Sequence, residues 1–473
     1  MTTRLERPTD PYLLAALHTL ARRVGLPGPA TDVLVDCVRS TVPFGAGREI
    51  FGAGDAHDRV YLVVRGAVKL ACRGWNRRCV AVQLVEPGGI CGVPWSFDAA
   101  ARRQFRAVAH GPARVATIGR EVVERVLAIL SPAHRLRLVS HGWRAVSGLL
   151  VDRCLDLVRR LDDRLEHRLA VLASAHGVPH GDGRTRIGVR LRSQDLGELV
   201  AAAPTSVRHA MIRLRARGRL ARCGGYLVVP TPDGPAAPPA SCLVRPSHGP
   251  RSATVLRART REVLMGLCAS LSLTAEAVDL LVGSARVVWA ARGDDLIEGD
   301  DVGLVLEGSV RVEVGVPRTG PIVQIVAAGQ FVRLTGGNVA FARAVAHEHA
   351  AVACFDRATV TAALGRLPAS GMLRLFAHSA RALSRHLHDR TVLATMPLAA
   401  RVRLALLGLG RDFGEQSGDG LRLSIRLTHG QLARLAGSSR SAVCRALGRL
   451  ADERKVAVED GHFMLPGVAH EVA

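Results

Sequence analysis

Apolar and polar residues follow two different periods along this chain of 473 residues. Residues 11–38 carry apolar side chains at helical spacing, which predicts short helices. From residue 42 the pattern changes to short β-type runs between glycines, such as RVYLVVRGAVKLAC and CVAVQLV, which predict turn-bounded strands. Residues 121–165 return to a helical pattern near heptad spacing, and we predict a long helix over 132–161.

Two breaks are predicted after this helix. Leu161-Asp162 is interpreted as a hinge, with Asp162 as the N-cap of a helix that continues over 163–175. The run HGVPHGDG, with its glycines and proline, is predicted to be a loop. Residues 190–230 then give two short helical patterns and an apolar hairpin, an order typical of a helix-turn-helix with a β-wing.

Residues 427–450, LTHGQLARLAGSSRSAVCRALGRL, predict another helix-turn-helix more sharply. The hydroxyl of Thr428 suits the N-cap of a first helix, and Gly437 lies where the chain must turn. Val443, Leu447 and Leu450 form one apolar stripe, which predicts the buried face of a second helix.

The other face of that second helix carries Arg440 and Arg445. Recognition helices reach base edges with residues near their start, and arginine can bind two acceptors of guanine at once. The pattern therefore predicts a DNA-reading helix. The alternative is a helical hairpin in a core, with both arginines simply solvated.

The pattern occurs twice. At a spacing of 236 residues, Leu196 corresponds to Leu432 and Val207 to Val443. The pentapeptide RAVAH occurs at residues 106–110 and again at 343–347, a spacing of 237. We predict a tandem duplication of this length, joined by a linker rich in proline, alanine and glycine.

The predicted fold class is α+β, with two copies of a β-roll, a long helix and a winged helix-turn-helix. A further helix is expected after Met396-Pro397. The predicted units are the first β-roll with its N-terminal helices (1–131), the first long helix (132–161), the first winged helix-turn-helix (162–232), the linker (233–253), the second β-roll (254–368), the second long helix (369–395) and the second winged helix-turn-helix (396–473).

Charge and cysteine content narrow the class of protein. The net charge of +23 favours a polyanionic partner, nucleic acid first and a membrane surface second, although an arginine-rich composition also follows from GC-rich coding. The ten cysteines include no C-x-x-C pair, so we expect no metal site and interpret them as scattered buried thiols. Neither a secretion signal nor a membrane-spanning run is present, which indicates a cytoplasmic protein without membrane contact.

This order of β-roll, long helix, hinge and winged helix-turn-helix resembles the Crp/Fnr (catabolite activator) family of bacterial transcription regulators. The resemblance is closest in the G-x-S-R-x-x-V-x-R spacing that begins at Gly437, and it includes Glu49-Ile50-Phe51 followed by Gly54-Asp55. It implies β-rolls of the cyclic-nucleotide-binding type and double-stranded DNA as the partner. RNA polymerase and an unidentified small-molecule effector are further partners that it implies.

The resemblance also assigns roles within the second helix-turn-helix. Arg440 and Arg445 would each read a guanine, and Thr428 and Ser439 would hold phosphates. Ser441 stands where the family usually has a glutamate that accepts from cytosine, so that base preference is not carried over.

The first helix-turn-helix departs further from the family pattern. Pro204 and His209 stand at the two arginine positions, and Thr205 stands at the glutamate position. Arg208 and Arg213 remain for phosphate contacts. Sequence-specific readout is therefore expected mainly from the second helix-turn-helix.

The effector positions that the resemblance implies are degenerate. The first β-roll offers Gly92 followed by Val93 instead of glutamate, and then Arg103-Gln104. The second offers Arg333 and no glutamate. We therefore expect no cofactor, and cyclic nucleotide binding is disfavoured.

These observations predict a transcription regulator in which one chain forms a pseudo-dimer. A homodimer of two chains is the competing assembly. The alternative function is a ligand-sensing or protein-interaction module with two cyclic-nucleotide-binding-like domains and vestigial DNA binding. An enzyme is not expected, because the sequence contains no paired carboxylates, catalytic triad order, P-loop or metal cluster.

Overall fold

The computed structural model describes residues 10–75, 77–91, 98–181, 183–232, 253–271, 273–296, 301–314, 320–333, 342–418 and 420–468. Within these ranges the chain forms two halves with a similar order of elements, although ten described strands precede the long helix of the first half and seven that of the second; residues 233–252 between them lie outside the description. The first half comprises residues 10–232 and the second half residues 253–468.

The first half begins with two helices. Ten strands follow them, and we call these strands the first β-unit. The elements are α1 (Pro11–Val24), α2 (Gly28–Cys37), β1 (Thr41–Phe44), β2 (Glu49–Phe51), β3 (Ala56–His57), β4 (Arg59–Arg65), β5 (Val68–Arg73), β6 (Cys79–Val85), β7 (Ile90–Cys91), β8 (Asp98–Arg102), β9 (Arg106–Ala109) and β10 (Ala113–Gly119). The strands pair antiparallel in the orders β1-β10-β4-β7, β2-β9-β5-β6 and β3-β8. Alternating side chains from these sheets, such as Val63, Val68 and Val115, fill the core between them.

The first half continues through a long helix into a winged helix. Its elements are α3 (Arg120–Ile129), α4 (Pro132–Asp156), α5 (Leu161–His176), β11 (Gly177–Gly181), β12 (Arg184–Ile187), α6 (Ser193–Val200), α7 (Pro204–Ala216), β13 (Ala221–Cys223) and β14 (Tyr226–Pro230). We call residues 161–230 the first winged helix. Its sheet has the order β11-β12-β14-β13.

The second half contains the second β-unit, β15–β21, and the second winged helix, residues 398–466. Its elements are α8 (Ala253–Leu271), α9 (Ala275–Ser284), β15 (Arg286–Ala290), β16 (Val302–Glu307), β17 (Ser309–Val314), β18 (Ile322–Ala327), β19 (Phe331–Arg333), β20 (Ala342–Ala346), β21 (Ala350–Phe355), α10 (Arg357–Gly365), α11 (Ala369–Leu393), α12 (Leu398–Phe413), β22 (Gly414–Ser417), β23 (Gly420–Leu423), α13 (His429–Ala436), α14 (Arg440–Asp452), β24 (Ala457–Glu459) and β25 (His462–Pro466). The sheet orders are β15-β21-β16-β19, β18-β17-β20 and β22-β23-β25-β24.

The two halves form one body because the long helices α4 and α11 pack against each other. Val146 and Leu150 of α4 and Leu387 of α11 belong to one apolar cluster that also contains residues of both β-units. A polar contact adds to this packing. Arg135 donates from Nη1 to the carbonyl of Leu367 at 3.0 Å.

Three sequence predictions in and after the hinge region are wrong. The first long helix ends at Asp156 rather than near 161, and the next helix begins at Leu161 with Arg160 as its N-cap residue. Asp162 is not the cap, because its carboxylate binds Arg213 on another helix. The predicted loop after His176 contains strand β11, whose backbone pairs with β12 although its side chains are exposed.

Cysteine burial also differs from expectation. Cys72, Cys91, Cys154 and Cys354 are buried, but Cys223 and Cys444 are exposed. The prediction of buried thiols therefore holds for only part of the set. None of the described helices has both the length and the apolar character needed to cross a membrane.

Candidate nucleic-acid interface

Helices α13 and α14 form a tight helix-turn-helix whose ends are capped by local chemistry. Thr428 accepts a hydrogen bond from the backbone N–H of Gln431 at 3.1 Å, and the Gln431 side chain accepts from the Thr428 N–H at 2.8 Å. Gly437 ends α13 in the left-handed conformation, with φ of 62°. Ser439 caps α14 by accepting from the N–H of Ala442. The predicted cap and turn are confirmed.

One face of α14 is buried and the other is open. Val443, Leu447 and Leu450 are buried, as the stripe predicted. Arg440, at the first helical position, and Arg445 are exposed. Ser439 and Ser441 are exposed on the same surface, with hydroxyl oxygens 3.3 Å apart. The N-terminal part of α14 therefore presents two guanidinium groups and two hydroxyls to solvent.

An exposed thiol lies beside these arginines. Cys444 Sγ is 3.1 Å from Nδ1 of His429, the first residue of α13. The sequence analysis assigned no role to this pair, since its two members are separated along the chain. Their contact shows that the start of α13 borders the open face of α14.

Helix α7 has the same placement in the first winged helix but different side chains. Thr205, Arg208 and His209 are exposed, and so is Ile212, with 60% of its surface accessible. Arg213 is held by Asp162 of α5, with Nε–Oδ2 and Nη2–Oδ1 distances of 2.9 and 2.6 Å. These hydrogen bonds hold the pKa of the Asp162 carboxyl below its usual value. The guanidinium of Arg213 thus has an internal partner.

Arg103, a candidate phosphate ligand, is turned into the first β-unit. Its side chain is 6% exposed, and it donates to the carbonyls of Ala56 and Arg59 at 3.1 and 2.5 Å. The guanidinium carbon lies 4.1 Å from the centre of the Phe51 ring, and burial lowers the pKa of Arg103. The backbone of its own β-unit therefore binds Nε and Nη2, while the buried Nη1 has no hydrogen-bond partner among the described residues.

The other effector candidates are less completely described. Gln104 is half-buried, and its Oε1 has no hydrogen-bond partner among the described residues. Gly92 lies outside the described residues, and so does the side chain of Arg333. These positions remain predictions.

Two buried arginines tie the winged helices to the β-units. Arg153 of α4 donates to the carbonyls of Leu199 in α6 and Ala81 in β6, at 2.9 and 2.6 Å. Arg390 of α11 makes the same pair of contacts in the second half, to Leu435 and Val323, at 2.5 and 2.6 Å. The sequence analysis missed both, yet their spacing of 237 residues matches that of the RAVAH repeat.

The histidines that end the two RAVAH segments also make equivalent contacts. His110 Nε2 lies 2.9 Å from the carbonyl oxygen of Arg190, and His347 Nε2 lies 3.1 Å from that of Arg426. Each carbonyl belongs to the segment just before the helix-turn-helix. Both winged helices are thus docked on the β-unit of their own half.

One ion pair completes each docking surface, with opposite polarity in the two halves. Lys69 of β5 binds Glu198 of α6, with an Nζ–Oε2 distance of 2.5 Å. Glu313 of β17 binds Arg434 of α13, with an Oε2–Nη2 distance of 2.8 Å. Burial alone would raise the pKa of Glu313, but hydrogen bonds from Arg434 and Arg311 hold it below its usual value.

The first hinge contains an ionic network. Asp156, 2% exposed, accepts from Arg153 at 3.2 Å and from Arg168 at 2.7 Å. Asp152 accepts from Arg168 and lies 2.9 Å from His167 Nε2. Burial alone would raise the pKa of Asp152, but the hydrogen bond to His167 and the charge of Arg168 outweigh it, and the pKa lies below its usual value. The network joins α4 to α5 across the hinge.

Each winged helix also reaches the hinge of the opposite half. A Cβ placed on Gly437 would lie 2.3 Å from Cβ of Leu157, just after α4. Ala201 and Ala394 line one cavity of about 410 Å³ at the corresponding place in the first winged helix. The turn of each helix-turn-helix thus lies near the hinge of the other half.

Comparison with known families matches two parts of the chain. Residues 41–129, which span the first β-unit and α3, match the cyclic nucleotide-binding domain family. Residues 400–466, which cover nearly all of the second winged helix, match the Crp-like helix-turn-helix domain family.

Similar proteins are global regulators. The global nitrogen regulator of Synechocystis sp. is 32% identical over 174 residues, which are 36% of this chain and 76% of that protein. The global nitrogen regulator of Synechococcus elongatus is 28% identical over 174 residues, 36% of this chain and 77% of that protein. Among solved structures, a CRP/FNR-family transcriptional regulator from Thermus thermophilus is 21% identical, with a TM-score of 0.32, covering 40% of this chain and 93% of that one.

Proposed function

Because the chain belongs to the Crp/Fnr family of transcription regulators, we propose that it binds double-stranded DNA as a single-chain pseudo-dimer. The observation that carries this proposal is the packing of α4 on α11 within one chain, with the exposed Arg440 and Arg445 of α14 on the second winged helix. Family members read DNA with two helices about one turn of the duplex apart. One chain supplies both.

Readout is proposed to rest mainly on α14. Arg440 and Arg445 each bind a guanine, Ser441 lies between them, and Thr428 and Ser439 hold phosphates. Thr205, Arg208 and His209 of α7 contact the other half-site with less base specificity. Arg213 contributes there only if it leaves Asp162. The site is therefore lopsided, with one specified half and one loosely specified half.

A tandem duplication is the origin we infer for this arrangement. The Synechocystis relative is about half as long as this chain, since 174 residues make up 76% of it and 36% of this chain. The matched contacts of Arg153 with Arg390 and of His110 with His347 support the inference. We propose the domain boundaries that were predicted from the sequence, with the two hinges moved to residues 157–160 and 394–397.

We further propose that DNA binding does not require cyclic AMP. Arg103 already donates to Ala56 and Arg59, and the glutamate expected after Gly92 is replaced by valine. An unidentified effector at the half-buried Gln104 is compatible with this proposal. We also propose a cytoplasmic location, with RNA polymerase as a further candidate partner.

Selection of bound sequences from random duplex DNA, combined with light scattering of the complex, tests the proposal. We expect one chain on an asymmetric site. Two chains bound to a palindromic site would show that the assembly is a homodimer and not a single-chain pseudo-dimer. Absence of any selected sequence, with and without cell extract, would overturn the DNA-binding function.

A further inference from the structure

The turn that joins β5 to β6 exposes an aromatic ring among cations. Trp75 has 58% of its surface accessible, and Arg73, Arg77 and Arg78 are exposed. The turn is closed by a hydrogen bond from the N–H of Gly74 to the carbonyl of Arg78 at 2.8 Å. An aromatic ring beside several cations is the combination that nucleic-acid-binding surfaces use to contact bases or sugars and phosphates together.

The turn has a fixed position relative to the DNA-binding elements. The N–H of Trp75 donates to Oγ1 of Thr395, in the hinge of the second half, at 2.9 Å. A Cβ on Gly74 would lie 2.7 Å from the same oxygen. The turn therefore rests closely on that hinge.

Arg78 also lies near the start of α7. It lines the cavity of about 410 Å³ together with Gln194 of α6 and Pro204, the first residue of α7. The N-terminal end of a recognition helix is the end that enters the major groove. A duplex bound by α7 would bring its phosphates toward the β5–β6 turn.

Helix α7 carries three arginines, as α14 does, but none lies in its first turn, whereas α14 begins with Arg440. Pro204 and His209 stand where α14 has Arg440 and Arg445, and Arg213 is bound to Asp162. Phosphate contacts contribute a large part of the affinity of protein–DNA complexes. The start of α7 therefore has no cation of its own for nearby phosphates, and the β5–β6 turn lies beside it.

We propose that the β5–β6 turn is a DNA backbone contact of the first half, with Arg77 and Arg78 binding phosphates beside α7. The indole of Trp75 packs on the adjacent deoxyribose, and Arg73 adds to the local positive potential. The inference rests on the proposed DNA-binding function. It is specific to the first half, since the corresponding residues 315–319 of the second half read GVPRT, with one arginine and no tryptophan.

The salt dependence of DNA binding tests this inference. The protein is the full chain, and the probe is a duplex of about three helical turns that carries the selected site. In an Arg77→Asn/Arg78→Gln variant, the slope of log affinity against log salt should decrease by about 2, since each phosphate contact contributes about 0.9. Asparagine is used at Arg77 because its φ of 60° is left-handed. Trp75→Ala should weaken binding several-fold without changing the slope.

The matched control replaces two exposed arginines far along the chain from the turn, Arg22→Gln and Arg39→Gln, and should leave the slope unchanged. If the turn variant keeps the wild-type slope, the inference is overturned. It is also overturned if DNA binding is unchanged and only transcription with RNA polymerase is lost, because the partner is then a protein.

Arg440→Ala separates this failure from failure of the proposed function. If Arg440→Ala weakens binding while the turn variant does not, DNA binding stands and only the role of the turn falls. If wild-type protein shows no duplex binding, the proposed function itself falls.

Discussion

Glu198 and Arg434 lie 236 residues apart at the same position of their winged helices, and they carry opposite charges. Each is paired with a residue of opposite sign on its own β-unit, Lys69 for Glu198 and Glu313 for Arg434. The docking surfaces of the two halves are thus equivalent in place and reversed in polarity. Exchanging the winged helices would bring Arg434 toward Lys69 and Glu198 toward Glu313.

Reversing one charge should therefore loosen docking, and reversing its partner should restore it. In a Glu198→Arg variant the new arginine faces Lys69, so hydrogen exchange in α6 should be faster. The double variant Lys69→Glu/Glu198→Arg restores an ion pair and should regain most of the protection of α6 against exchange. The coupling should be about 1 kcal/mol, as the pair is only partly buried. Glu198→Gln is the control, expected to fall between wild type and Glu198→Arg. An additive double variant would show that charge does not determine the docking.

Base readout should depend unequally on the two helix-turn-helix units. Arg440→Ala should cost about 1–3 kcal/mol of binding and relax specificity at one base pair, because a bidentate guanine contact is lost. Thr205→Ala, on the exposed face of α7, should cost much less. Titration of a duplex carrying the selected site measures both. Equal losses would contradict the assignment of readout to α14.

Removing the acid at the centre of the first hinge should destabilise that hinge alone. Asp156→Asn leaves the buried guanidinium of Arg153 and that of Arg168 without their shared carboxylate, which should cost about 3–5 kcal/mol. Hydrogen exchange should rise in α5–α7 and not in α12–α14. Asp389→Asn is the matched control, since this acid of α11 is partly exposed and 3.9 Å from Arg411. Uniform loosening of both winged helices would argue against a local network.

Gly437 and Ala201 each end the first helix of a helix-turn-helix, and substituting them should change the unfolding free energy in opposite directions. Gly437→Ala places a Cβ against Leu157 at a left-handed φ and should lower the unfolding free energy by at least about 1–2 kcal/mol. Ala201 already has a left-handed φ of 52°, which strains an alanine. Ala201→Gly should therefore raise the unfolding free energy by about 0.5–1 kcal/mol. Thermal unfolding of both variants tests the pair. Stabilisation by Gly437→Ala would contradict the close contact.

Acid should weaken the docking of the second winged helix through His347. Burial lowers the pKa of this imidazole below its ordinary 6.5, so the unfolded chain takes up its proton first as the pH falls. Stability should therefore decrease as the pH drops through about 6.5, by at most about 1.4 kcal/mol per pH unit for this group. Denaturation at pH 7.5 and 5.5 should show a smaller loss for His347→Gln than for wild type. An equal loss would assign the effect to other groups, such as His386, whose pKa burial lowers to about 4.

Local chemistry allowed much of this architecture to be predicted. Thr428 as a cap, Gly437 as a turn and the stripe from Val443 to Leu450 each depend on neighbours within a few residues, and each is confirmed. Strand positions such as β4 and β5 followed from short β-type runs bounded by glycines.

Long-range pairing explains what the sequence did not reveal. Asp162 looked like a cap because its partner, Arg213, lies 51 residues away. No signal in the sequence pointed to Arg153 or Arg390, because only the folded chain brings backbone carbonyls to them. Arg103 matched a phosphate-binding position, but its side chain is buried and donates to the backbone carbonyls of Ala56 in β3 and Arg59 in β4.

The packing of α4 on α11 within one polypeptide has a genetic consequence. In an assembly of identical subunits every substitution appears on both sides of the interface, so a charge change at a docking surface is imposed twice. Here one half can change while its neighbour keeps the older residue, as Glu198 and Arg434 illustrate. For the proposed pseudo-dimer, the affinity for a site does not depend on two chains meeting, so occupancy well below saturation should rise linearly with the amount of protein in the cell.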